Sequence, residues 1–205
     1  MKELETRIIK IDVAEIRKTL IANNAVKVKE ENQINDIYDF EDGRFLDANG
    51  YARIRTLDNL LDGKRTIYMT TKKLLSQGKF KEMEENEVIV NDKDAAEGIY
   101  VSLGLKLKQS IKKFRESYKL ENGLVEIDIN DTNFCPFPYL EIETDSEENL
   151  KNIVSILGYT MADTTSKTIY YLYYISFLYF SHIFNICLFL MIMIYYQCYK
   201  VYRRH

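Results

Sequence analysis

Residues 138–144 read Pro-Tyr-Leu-Glu-Ile-Glu-Thr, and their strict alternation decides the class of fold. Side chains two apart along a strand share a face, so Leu140 and Ile142 turn one way while Glu141 and Glu143 turn the other. The same period recurs at the opposite end of the chain, where Glu3, Glu5 and Arg7 alternate with Leu4, Thr6 and Ile8. Between these ends the period-two stretches are 2–11, 25–40, 51–57, 65–73, 83–91, 107–120, 123–130 and 138–144. Three segments carry helical spacing instead: 12–23 behind Asp12 as N-cap, 92–103 before Gly104, and 146–157, which opens Ser-Glu-Glu and stops at Gly158. Eight strands and three helices predict an α+β domain with a mostly antiparallel sheet.

Charge and composition narrow the chemistry. All 31 Asp and Glu of the 205 residues precede Ile169, and only Lys200, Arg203 and Arg204 of the 28 Lys and Arg follow it. A net-acidic domain is a poor match for a polyanion, so no nucleic-acid partner is expected. Both histidines, His182 and His205, lie beyond residue 168, which removes histidine-dependent nucleophilic catalysis and histidine zinc sites from the domain. Cys135 is the lone cysteine before the tail, leaving no zinc ribbon or disulfide framework and fitting a reducing cytosol. No phosphate-binding glycine motif occurs, so side chains must hold any phosphate. The opening residues have no apolar core and are not read as a signal peptide.

The division expected is a domain over 1–168, an apolar C-terminal helix over 169–199 and a basic tail over 200–205. Ile169–Tyr199 contains no Asp, Glu, Lys or Arg and carries tyrosines at both ends, as a membrane anchor would. The physical reading is a cytoplasmic domain anchored through that helix; the alternative is an out-of-frame or fusion extension that spans nothing.

The charges on the strands are sorted by sign. Arg53 and Arg55 point together, as do Thr70 and Lys72, Glu85 and Glu87, Lys113 and Arg115, and Glu141 and Glu143, while Asp128 faces away from Ile127 and Ile129. A half-solvated sheet would show the same alternation, but with mixed signs. Eight strands are enough to close a barrel, and closing with this phase would line its interior with carboxylates, arginines and lysines. Such an interior is costly without a ligand. Carboxylates suit hard divalent cations and Arg and Lys suit phosphate oxygens, so metal plus polyphosphate is the economical reading.

In order, Glu3-Leu4-Glu5-Thr6-Arg7, Ala52-Arg53-Ile54-Arg55, Thr70-Thr71-Lys72, Glu85-Asn86-Glu87, Lys113-Phe114-Arg115, Val125-Glu126-Ile127-Asp128 and Leu140-Glu141-Ile142-Glu143 resemble the motifs of the CYTH superfamily, the triphosphate tunnel metalloenzymes. Arg7 stands where that family usually has lysine. The resemblance implies a closed eight-stranded antiparallel β-barrel, or tunnel, with flanking helices. It implies Mg²⁺ or Mn²⁺ held by Glu3, Glu5, Asp128, Glu141 and Glu143. Arg7, Arg53, Arg55, Lys72, Lys113 and Arg115 would clamp a triphosphate, with Glu85, Glu87 and Asp128 in catalytic roles. The implied activity is metal-dependent hydrolysis of inorganic, nucleoside or thiamine triphosphate. A class IV adenylyl cyclase, making cyclic AMP and pyrophosphate from ATP, and a non-catalytic polyphosphate-binding module are the alternatives. A homodimer and membrane association through the tail complete the expectations.

Overall fold

A computed structural model describes residues 4–77, 81–167 and 169. The chain divides at Ser166, and the description below concerns the first unit. Its elements run β1 (Leu4–Ile9), α1 (Val13–Ala22), β2 (Val26–Asp39), α2 (Arg44–Asp47), β3 (Tyr51–Asn59), β4 (Arg65–Gln77), β5 (Lys81–Val90), α3 (Lys93–Ser102), β6 (Lys106–Leu120), β7 (Gly123–Asn130), β8 (Tyr139–Thr144) and α4 (Glu147–Ile156). A 3-10 turn (Met161–Asp163) and a two-residue strand β9 (Thr164–Thr165) follow. The three long helices start where sequence chemistry put them: the side chains of Asp12, Asp92 and Ser146 each accept a backbone N–H of the first turn. Gly104 and Gly158 take φ of +89° and +84° just beyond α3 and α4, a conformation other residues adopt reluctantly.

All strands join one antiparallel sheet in the order β5-β4-β3-β2-β6-β7-β8-β1-β9. The closed eight-stranded barrel expected from the sequence is therefore corrected. The sheet is open, with β5 at one edge and β9 at the other. The reason is local to β1, which bonds β8 along one side and receives Thr164 and Thr165 against Ile8 and Arg7 along the other. The edge that would have to meet β5 is occupied. The expected apolar helix over 169–199 lies, except for Ile169, outside the described residues, and among the described residues no helix is long and apolar enough to cross a membrane.

The sheet's two faces differ in kind. On the outer face Ile8, Val125, Ile127, Leu140 and Ile142 pack under α1 and α4, joined by Leu20, Ile153 and Val154. A second apolar cluster sets Tyr38, Ala52 and Ile54 under Ala96 and Tyr100 of α3. The other face carries the charges. Among the described residues no apolar cluster lies on it, yet Asp128 is fully buried and Glu126, Glu141 and Arg53 are 2%, 8% and 8% exposed. Both helix-packed cores lie on the opposite side, so neither of them covers this face.

Candidate functional site

Register builds the site row by row. Arg7, Glu141 and Glu126 stand side by side across β1, β8 and β7. Asp128, Arg115 and Glu31 form the next row across β7, β6 and β2, then Asn130, Lys113 and Gln33. Asn35 sits beside Arg55, Arg53 beside Thr70 and Glu87, and Lys72 beside Glu85. Residues opposite one another in adjacent strands face the same way, so one continuous face gathers charges from both ends of the chain.

Its carboxylate part centres on Arg115. The Nε and Nη2 of Arg115 donate to the two oxygens of Asp128, both at 2.6 Å, and Nη2 also donates to Glu141 Oε2 at 2.6 Å. Arg115 pairs with Glu126 as well, and Arg7 pairs with Glu5 and Glu141. Ser117 donates to Glu126 at 2.7 Å. Glu126, Glu141 and Glu143 place one ligand oxygen each within 4.8 Å of one another, a group that could hold a metal ion. Burial and the adjacent Glu141 push the Glu5 carboxyl up to about 8. Glu141 moves the opposite way: burial raises its carboxyl, but Arg7, Glu5 and Arg115 outweigh burial and hold it low. A cation among these oxygens would favour the ionised form of Glu5, and an all-carboxylate donor set fits a hard divalent ion.

The cationic part is short of partners. Lys113 Nζ lies 3.1 Å from Asp128, but burial, with repulsion from Arg115 and Arg55, pushes its amine down to about 8 against the pull of Asp128. Arg55 donates its Nε to Asn35 at 2.8 Å, and burial plus repulsion from Arg53 and Arg115 lowers its guanidinium to about 10. Arg53 reaches Glu87 only at 3.6 Å and Glu85 at 4.0 Å, and its buried Nε has no hydrogen bond. Lys72 pairs with Glu85 at 2.9 Å and Thr70 donates to Glu87 at 2.7 Å. Behind them, the Tyr100 hydroxyl donates to the Thr70 carbonyl at 2.8 Å and ties α3 to the strand.

The residues singled out from the sequence thus fall into two groups. Glu5, Arg7, Asp128, Glu141, Glu143, Lys113 and Arg115 come together on β1, β6, β7 and β8, whereas Arg53, Arg55, Lys72, Glu85 and Glu87 lie on β3, β4 and β5. Glu3 is outside the described residues. Asp128 is enclosed by Lys113 and Arg115 and is not in the three-glutamate group. Sequence reading passed over Glu126, although it sits two residues from Asp128 on the same face. It also passed over Glu31, Gln33 and Asn35, whose alternation along β2 was visible.

Solved structures share this fold. The PH1012 protein of Pyrococcus horikoshii OT3 matches with a TM-score of 0.66 at 21% identity, covering 83% of this chain and 99% of that one. A Vibrio parahaemolyticus protein proposed to be an adenylate cyclase matches with a TM-score of 0.63 at 13% identity, over 81% of this chain and 94% of that one. HpAC1 of Hippeastrum, proposed as an adenylyl cyclase and described as having a dominant triphosphatase activity, matches at 0.56 and 16% identity, over 75% of this chain and 83% of that one. No curated protein matches the sequence. The CYTH domain pattern matches residues 1–169, which take in the whole described sheet and its site, and the chain belongs to the CYTH family.

Proposed function

We propose that residues 1–168 form a divalent-metal-dependent triphosphatase that hydrolyses a linear triphosphate on the charged face of the open sheet. The CYTH superfamily is metal-dependent and acts on triphosphates. The observation that carries the reading for this chain is the loosely partnered pair of arginines: Arg55 donates its Nε to the neutral Asn35, and Arg53 reaches Glu87 only at 3.6 Å and Glu85 at 4.0 Å with its buried Nε unbonded. Phosphate oxygens suit arginine forks and would offset the burial of these guanidinium groups.

In this reading Arg53, Arg55, Lys72 and Lys113 hold the phosphate chain, with Arg7 and Arg115 at the carboxylate end. Glu5, Glu126, Glu141 and Glu143 hold Mg²⁺ or Mn²⁺. When bound, such an ion neutralises phosphate oxygens and makes a bound water more acidic. Glu85 and Glu87 orient the attacking water, and Asp128 fixes Lys113 and Arg115. A bond forms from water oxygen to the terminal phosphorus, the bridging P–O bond breaks, and orthophosphate and diphosphate leave. Phosphoryl transfer of this kind needs positioning and charge neutralisation more than covalent help, which a histidine-free site supplies.

The test gives full-length protein, and separately residues 1–168, Mg²⁺ or Mn²⁺ with inorganic triphosphate or ATP, and identifies every product. Orthophosphate is expected. Cyclic AMP with pyrophosphate would make the chain a cyclase instead, and tight binding without product would leave a binding module. Activity undiminished by chelator would overturn the metal-dependent reading.

A further inference from the structure

Arg53 and Thr70 stand side by side across β3 and β4 on the charged face, and both are buried. The Thr70 hydroxyl donates to Glu87 at 2.7 Å, but the Arg53 guanidinium is held loosely, 3.6 Å from Glu87 and 4.0 Å from Glu85 with its Nε unbonded. The same row is gripped from behind. Tyr100 of α3 is buried, and its hydroxyl donates to the Thr70 carbonyl at 2.8 Å, with the Arg53 carbonyl 3.5 Å away as a second acceptor. One phenol therefore spans the backbone of both strands at the row that carries Arg53.

The rest of α3 fixes that hydroxyl in place. Ala52, the chain neighbour of Arg53, is fully buried in the same apolar cluster as Tyr100 and adds no bulk beyond its Cβ. The ring of Tyr38 on β2 lies against the Tyr100 ring, with centroids 5.3 Å apart. At the start of the helix Lys93 Nζ pairs with the buried Asp36 of β2 at 2.7 Å. The helix thus ties β2, β3 and β4 together, the strands that bring Asn35, Arg53, Arg55 and Lys72 to the charged face. Arg53 and Arg55 repel each other across two residues of one strand, so where they point depends on a backbone that does not yield.

Resting on the triphosphate reading above, we propose that Tyr100 is a positioning residue of that site: its hydroxyl fixes β3 against β4 and so aims Arg53, Thr70 and Lys72 at the phosphate chain without touching it. The effect runs through the main chain, from the helix-packed side of the sheet to the charged side. It falls on binding, because cations already held in place need less ordering when the phosphate arrives. It does not reach the glutamates on β1, β7 and β8, which α3 does not touch through any of these contacts.

The experiment makes Tyr100→Phe in the full-length chain, which keeps the ring and removes only the hydroxyl. The Kd for inorganic triphosphate, measured by calorimetry with Ca²⁺ in place of Mg²⁺ to limit turnover, should rise about three- to tenfold, the size of loss one hydrogen bond carries. With Mg²⁺, KM should rise in step while kcat changes by less than about twofold, and binding of Mg²⁺ alone should not move. On an Arg53→Ala background the substitution should add little, since residues acting through one contact are not additive. Tyr38→Phe removes a neighbouring hydroxyl of the same helix-sheet contact and should leave the Kd unchanged. If the unsubstituted chain binds triphosphate and Tyr100→Phe binds it equally well, or if the losses in the double variant simply add, the positioning role is overturned and the triphosphate reading stands. Weaker Mg²⁺ binding in Tyr100→Phe, or an equal loss in Tyr38→Phe, would mean general loosening and overturn it too. Failure of the unsubstituted chain to bind triphosphate would overturn both.

Discussion

Strands β1, β7 and β8 concentrate carboxylates, whereas β3 and the middle of β6 concentrate cations, and the two regions fall short of neutrality in opposite senses. Around Glu141 the excess negative charge shows in Glu5, which burial and its neighbour drive up to about 8. Around Arg55 and Lys113, burial first and then neighbouring cations drive the Lys113 amine down to about 8 and the Arg55 guanidinium down to about 10. Both regions sit on the same face, and Asp128 joins them by holding Lys113 and Arg115 together. The contrast is what the occupant proposed above, a metal-triphosphate complex with two parts of opposite charge, would need.

The hinge between the two regions is the hardest to remove. Asp128→Asn strips the carboxylate that holds both Lys113 and Arg115, and a buried charge left without its partner costs about 3–5 kcal/mol. Urea denaturation should register that loss, and unchanged stability would mean the cations have another anchor. Next comes the carboxylate region itself. Glu141→Gln keeps the shape but removes a charge from the three-glutamate group, so metal affinity should fall by more than the ~10–100-fold typical of a supporting residue, and turnover with it. Calorimetry with Mg²⁺ alone separates this from a loss of triphosphate binding.

A smaller effect tests the cationic region. Arg55→Ala should weaken triphosphate binding by ~1.5–3 kcal/mol, the worth of a hydrogen bond to a charged group. Stability without ligand should hold steady or rise, because Arg53 and Arg115 lose a like-charged neighbour. A variant with unchanged affinity would return this arginine to a purely structural role.

The gentlest probe is pH, which should move the two regions in opposite directions. Lys113, faced by Asp128, Arg115, Glu141 and Arg55, loses its proton above about 8 in the free protein, so triphosphate affinity should fall there by up to about tenfold per pH unit. The unfolded chain keeps that lysine protonated to higher pH and binds more protons in between, so this group makes stability without ligand rise with pH above about 8. Glu5 has the reverse sign. Its folded carboxyl holds a proton up to about 8, well beyond the unfolded value, so its contribution to stability falls as pH rises toward 8. Metal affinity should climb over that same interval as the proton leaves. Titrations of metal and triphosphate with parallel pH slopes would break the contrast.

Much of the site is legible in the order of residues alone, because strand alternation is a local property. Two-residue spacing puts Arg53 with Arg55 and Glu141 with Glu143, and capping chemistry at Asp12, Asp92 and Ser146 marks helices that the fold contains. Glu126 escapes such a reading for a different reason. Its significance depends on Glu141 being its neighbour across β7 and β8, a pairing that sequence spacing does not encode.

What the sequence determined by itself was which side chains share a face, because that follows from backbone geometry one residue at a time. It also determined the histidine-free chemistry available to them. Only the tertiary structure decided whether the sheet closes. That outcome turns on Thr164 and Thr165, two residues too few to show any alternation, which hydrogen-bond to the free side of β1 and leave β5 as the opposite edge. It likewise decided which charges meet, since Arg115 reaches Asp128, Glu126 and Glu141 through strand neighbours, and strand order is set by packing across the whole chain.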